Sequence, residues 1–430
     1  MTDVISHTEV FCPDCNTTHP AKHILSVGKI VGIVECPVGA REVVLSEHGD
    51  LFMQFRRQAH FDPAFRAPEE RPFFFHYLPI TDDCDCHCPV CFSAAGKSAN
   101  NSYLSVEEAE DLAGTAADNG VTTVILIGGE PTLHPRLTEL IGVFRRREMK
   151  VWLATNGLRI AQEPGLAVRL KEAGIEKVDL QLDSFNPTTH IAIRGHGKIG
   201  EKLTAAAAVV AAGLKLGLIC TVTTHNLPEL SVFCREVFSW PDLPRTVIMQ
   251  GAAHSGRLTT DNTRHITREE IITSLVEGQA VPGLKAGHFW PYPLFRPLHV
   301  YVHPDCAANT FVVLHKGGIE PLANYVKTDK FLDLAYRRPY RKTTGNRRWH
   351  LMVLTVQCLR LSVLKLLLRH VADLLTGGRG VRTLFIGTGA FLREDFLDLA
   401  RVRRCGSGTL TGNGCESLCA YYTCRPYNHT

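Results

Sequence analysis

Four thiols fall within eight residues at Cys84-Asp85-Cys86-His87-Cys88-Pro89-Val90-Cys91. Cys84, Cys88 and Cys91 have the spacing Cys-x3-Cys-x2-Cys. Three thiolates on one tight loop can hold three irons of a cubane and leave the fourth iron open, as an inner-sphere reaction requires. The alternative is a zinc knuckle completed by Cys86 or His87. A second motif is Gly128-Gly129-Glu130-Pro131-Thr132. Its glycines let the backbone approach a ligand closely, and Glu130 offers a carboxylate to an ammonium group. A plain turn is the simpler reading of that motif taken alone.

Further cysteines flank this region. Cys12-Pro-Asp-Cys15 and Cys36-Pro37 have the form of a zinc ribbon or rubredoxin knuckle, with His19, His23 and His48 as candidates for a fourth ligand. Cys306, Cys405, Cys415, Cys419 and Cys424 are enough for an auxiliary cluster, or for a structural zinc. Fifteen cysteines, an odd number, in a chain whose first ten residues hold no apolar run point to metal ligation over disulfides, and to the cytoplasm. A net charge of +4 gives no case for nucleic acid as a partner.

The elements that would position these residues alternate. Strands are expected at Phe73–Ile80, Thr122–Ile127, Lys150–Thr155, Lys177–Leu182, Lys215–Thr223 and Thr246–Gln250. Helices are expected at Ser105–Asn119, Pro135–Arg147, Gly165–Ala173, Glu201–Ala212 and Leu227–Phe238. Ser105 and Glu108 form a capping box at the first of these. Six such units predict an α/β fold, an open or partial (βα)6 barrel with chemistry at the C-terminal strand ends. Around the core (71–251) lie a small N-terminal Cys-rich metal knuckle (1–55) and a C-terminal Cys-rich extension (252–430), with a polar linker over Arg56–Glu70. The apolar stretch Leu351–Leu375 is interrupted by Gln357, Arg360, Lys365, Arg369 and Asp373. It reads as an amphipathic helix, packed on the core or lying on a membrane surface, and not as a span.

Together, the cysteine triplet and the Gly-Gly-Glu-Pro turn resemble the radical S-adenosylmethionine (SAM) superfamily over about residues 73–250. That resemblance implies a partial TIM-type barrel. It implies a [4Fe–4S] cluster on Cys84, Cys88 and Cys91, with SAM bound at the open iron. The Gly128, Gly129 and Glu130 turn would then bind the SAM amino group, and Phe92 would lie near the adenine. Asn156, Asp183 and Ser184 stand at strand ends that fit SAM, the last two toward the ribose, and Arg194 toward the carboxylate. An ion pair is the structural alternative for Asp183 and Arg194. The implied reaction is reductive cleavage of SAM to a 5′-deoxyadenosyl radical that activates a C–H bond, with electrons from a flavodoxin or ferredoxin.

The N-terminal knuckle, Cys-Pro-Val-Cys91, His303-Pro-Asp-Cys306 and Cys419-Ala-Tyr-Tyr422 together resemble the branch holding tetraether lipid synthases and pterin methyltransferase-like proteins. This implies transferase chemistry, C–C coupling or alkyl transfer, on a small molecule or lipid. A peptide or heterocycle substrate is the alternative within the class. A non-catalytic metal-binding redox sensor is the alternative outside it.

Overall fold

The computed structural model describes every residue except 1, 13–14, 60–74, 97–101, 259–263, 292–302, 337–355, 394, 404, 406, 412–413 and 425–430. Most of the expected linker, part of the irregular region 285–305 and the start of the 351–375 helix therefore lie outside the described residues.

The N-terminal cysteines sit on an antiparallel meander of β1 (Thr2–Cys12), β2 (Thr17–Ser26), β3 (Lys29–Cys36) and β4 (Gly39–Ser46). A two-residue turn joins β2 to β3. Val27 and Gly28 both take positive φ there, as the right-handed twist of a hairpin requires. The segment has an apolar cluster of its own, including Val10, Ala21, Val34 and Val43. Phe396, from far along the chain, completes that cluster.

The main sheet is built from β5 (Phe75–Pro79), β6 (Thr123–Ile127), β7 (Lys150–Thr155), β8 (Ile175–Gln181), β9 (Lys215–Val222) and β10 (Thr246–Gly251), all parallel and in chain order. Helices including Val106–Asp118, Leu137–Arg146, Leu166–Ala173, Ile199–Ala211 and Leu230–Phe238 join them. The Ser105–Glu108 capping box is present. Strand alternation separates two environments. Val124, Leu126, Val151 and Leu153 face the helices in the main core. Tyr77, Ile125, Ile127, Trp152 and Ala154 face the lumen.

Residues beyond the six units extend both sheets. β11 (Trp290–Pro291), β12 (Ala307–His315) and β13 (Gly318–Pro321) precede β14 (Arg382–Ala390). β14 lies parallel on β10, and β12 runs antiparallel beside it. β15 (Leu397–Asp398) joins the N-terminal sheet against β1. β16 (Ser407–Thr411) lies parallel on β5, with β17 (Gly414–Ser417) as its hairpin partner. The helix Leu418–Cys424 follows, and Leu418, Tyr421 and Tyr422 pack into the lumen cluster.

Candidate active site and metal centres

The cysteine loop leaves β5 at the C-terminal end of the sheet, and the Gly128-Gly129 turn holds it there. The Gly129 amide donates to the Thr81 carbonyl and the Glu130 amide to the Asp83 carbonyl, each at 2.7 Å. A Cβ on Gly128 would overlap the Thr81 carbonyl oxygen, and one on Gly129 the Asp83 carbonyl oxygen. Glycine is needed here so that two backbones can touch.

Glu130 is buried, its carboxylate turned into the protein. One oxygen accepts from the Thr132 amide (3.1 Å), the Thr132 hydroxyl (2.6 Å) and the Thr155 hydroxyl (2.6 Å); the other accepts from the Asn156 amide (2.7 Å). Burial pushes its pKa up, and these donors oppose that shift. Glu130 bolts the β6 turn to the end of β7. Asn156 continues the network, its side-chain amide donating to Asp85 at 2.6 Å.

Asp183 and Arg194 face each other. The guanidinium donates to both carboxylate oxygens, at 2.7 and 2.9 Å, and to Thr221 Oγ1 at 2.8 Å. Asp183 also accepts from the Thr221 amide. This is the ion pair of the structural alternative. Burial opposes the Arg194 charge, but Asp183 outweighs it and holds Arg194 above its ordinary pKa. Ser184 donates to Glu229 at 2.7 Å. Phe92 stacks edge-on against Tyr422, with ring centroids 4.6 Å apart.

Cys84, Cys88 and Cys91 carry free thiols on this one loop. Cys86 is buried, with its Sγ 3.4 Å from His196 Nε2. A hydrogen bond with Cys84 and burial push the Cys86 thiol up to about 12. The hydrogen bond with Cys86 and burial likewise raise Cys88, while Arg194 pulls it down. Three reduced thiols, one of them facing a fixed cation, form a donor set that fits a thiolate-held cluster. Arg257 clamps the loop from the end of β10. Its amide donates to the Cys91 carbonyl at 2.9 Å and its guanidinium to the Cys88 carbonyl at 3.1 Å. Gly256, at φ +67°, lies against the Cys91 and Phe92 carbonyls. The sequence reading missed Ser255-Gly256-Arg257, although they directly follow the sixth strand, where the other strand ends carry the site. It also missed Lys202, buried beneath the loop, where its ammonium donates to the Asn156 carbonyl and Gln181.

Cys12, Cys15 and Cys36 come together, with all three Sγ atoms within 4.8 Å of one another. They are the one such trio among the described residues. Of the three histidines considered, His19 reaches the group, its Nε2 2.9 Å from Cys15 Sγ. His23 instead bonds Ser6 at 2.8 Å and faces Asp398. His48 precedes the helix Gly49–Gln58, its amide on Ser46. In the tail, Cys306 hydrogen-bonds Arg401, and both Cys405 and Cys419 lie within electrostatic range of it. The side chains of Cys415 and Cys424 lie outside the described residues.

A parallel sheet with a cysteine loop and a glycine turn at its C-terminal edge defines a class. Residues 78–236 match the radical SAM superfamily model, and the chain carries a radical SAM domain. That superfamily implies a [4Fe–4S] cluster and SAM. Among similar proteins is the 7,8-dihydro-6-hydroxymethylpterin dimethyltransferase of Methanocaldococcus jannaschii. It is 24% identical over 365 residues, covering 75% of this chain and 71% of that protein. The GTP 3′,8-cyclase of Photorhabdus laumondii is 30% identical over 165 residues, 38% of this chain and 50% of its own length. The chain thus spans about half of that relative. Similar solved structures include the FeFe-hydrogenase maturase HydG from Carboxydothermus hydrogenoformans. Its TM-score is 0.41 at 21% identity, covering 52% of this chain and 55% of that one. Streptococcus suis SuiB bound to S-adenosylmethionine has a TM-score of 0.39 at 16% identity, covering 59% and 68%.

Proposed function

We propose that this radical SAM enzyme activates an inert methyl or methylene carbon of a small-molecule or lipid substrate, for alkyl transfer or C–C bond formation. The observation that carries this is the lumen. Tyr77, Ile125, Ile127, Trp152 and Ala154 line it, and Phe92, Phe391, Tyr421 and Tyr422 pack against them at the cysteine-loop end. Such an apolar, aromatic lining favours an apolar carbon over a charged one. The similarity to a dimethyltransferase over three quarters of the chain supports the same reading.

Cys84, Cys88 and Cys91 would hold the cluster, which when bound with SAM supplies a carbon radical able to take hydrogen from an unactivated C–H bond. The chain's own part is positioning. Arg257 and the Gly128-Gly129 turn fix the loop from two sides. Arg194, held by Asp183, places a fixed positive charge beside Cys88. The helix Leu418–Cys424 covers the lumen. Cys12, Cys15 and Cys36 with His19 would hold a single zinc or iron ion that pins the ends of β1 and β3 together. Cys306, Cys405 and Cys419 would contribute to an auxiliary site, and a flavodoxin- or ferredoxin-type donor would supply electrons.

The test is anaerobic reconstitution with iron and sulfide, followed by SAM and dithionite. Formation of 5′-deoxyadenosine is expected, lost in Cys88→Ala and largely kept in Cys86→Ala. Full cleavage by Cys88→Ala, or zinc alone in the loop, overturns the assignment. Comparing small molecules and lipids from cells with and without the protein would identify the substrate.

A further inference from the structure

The helix Ser362–Leu375 is amphipathic, as its sequence indicates, but it is mounted in the reverse sense to a core helix. None of its residues is fully buried. Its polar groups tie it to the body. Arg369 donates to Glu320 at 2.9 Å, His370 accepts from the Val381 amide at 2.8 Å, and Asp373 accepts from the Gly380 amide at 2.8 Å. Its apolar stripe faces solvent. Leu361, Leu364, Leu368, Val371 and Leu375 recur every three or four residues and are 52–87% exposed, with Leu367 and Leu374 beside them. With Val356, this segment supplies eight of the seventeen large apolar side chains exposed among the described residues. A patch of this kind marks an interaction surface.

Charge decides between occupants. The described residues 356–382 contain five Lys and Arg (Arg360, Lys365, Arg369, Arg379 and Arg382) and a single acidic residue, Asp373. That is a net +4, equal to the total of the whole chain. Arg360 and Lys365, both exposed, flank the stripe itself. A second copy of this surface would bring two such charges together. An anionic bilayer matches both the apolar stripe and the sign.

We propose that the Leu361–Leu375 stripe docks this protein on the surface of an anionic lipid bilayer. The helix lies in the plane of the headgroups, and among the described residues no helix is long and apolar enough to cross. It leads into the start of β14, at the end of the sheet opposite the cysteine loop. The contact therefore places the protein on the membrane without covering the candidate active site. It is independent of the reaction proposed above.

The test uses full-length reconstituted protein and sedimentation with vesicles in about 0.1 M salt. One set is phosphatidylcholine alone, and the other contains about one third phosphatidylglycerol. Binding to the anionic vesicles is expected to be about tenfold or more stronger, and to weaken as salt rises. The double variant Leu364→Gln/Leu368→Gln should lose that binding while its circular dichroism and 5′-deoxyadenosine formation stay unchanged. Arg360→Glu/Lys365→Glu should weaken it with the stripe intact. Absence of vesicle binding, equal binding to both vesicle types, or a concentration-dependent dimer abolished by the leucine substitutions would each overturn the proposal.

Discussion

Glu130 does more than the ligand contact that its glycine turn suggests: four protein donors reach its carboxylate. Glu130→Gln places an NH2 group against those donors and should lower stability by about 2–4 kcal/mol, read by thermal unfolding. Gly129→Ala should act locally. Its Cβ would displace Asp83, so iron incorporation at Cys84, Cys88 and Cys91 should fall while the circular dichroism spectrum persists. The cysteine spacing was legible because one short loop carries it. The closure of Asp183 on Arg194 was only an alternative in the sequence, because which of two strand-end groups meets a ligand depends on distances the sequence does not carry. His19 stood out from His23 and His48 only once β1 and β2 were paired, since that pairing sends His23 toward Ser6 and Asp398.

At the scale of elements, the six parallel units were legible because each is local: an apolar run, a turn and an amphipathic helix. The contributions of β15 and β16 were not, because nothing in so short a strand names a partner more than three hundred residues away. Phe396 is the clearest case. Its ring fills the space above Gly32 of the N-terminal sheet, where a Cβ would overlap it. Phe396→Ala should cost about 3–5 kcal/mol and loosen that sheet from the barrel. Limited proteolysis should then release an N-terminal fragment faster, while the domain around residues 78–236 resists. Equal protection of both parts would count against the contact. The polarity of the Ser362–Leu375 helix was legible too, but not its mounting, since periodicity defines two faces without saying which one meets the body.

Over the whole molecule, buried histidines set the response to acid. Burial lowers His76 to about 4, and both His265 and His303 to about 3. All three are neutral in the fold, and the unfolded chain binds their protons first. Their contribution to stability is complete above about pH 6.5 and is lost as pH falls toward 4 and then 3. Each should remove roughly 1–2 kcal/mol by pH 5. The denaturant midpoint should therefore drop between pH 7 and 5, and a flat profile would contradict this burial. The placement of β15 and β16 has a further consequence, in time. At about 5–20 residues per second, roughly 20–70 s separate synthesis of β4 from that of β15. Through that interval β1 keeps an unpaired edge; the main sheet emerges strand by strand, with β5 unpaired on one side and a lumen not yet closed by Tyr421 and Tyr422. Iron and sulfide delivered on the ribosome would meet the cysteine loop through an open door, which shuts only when Leu418–Cys424 arrives.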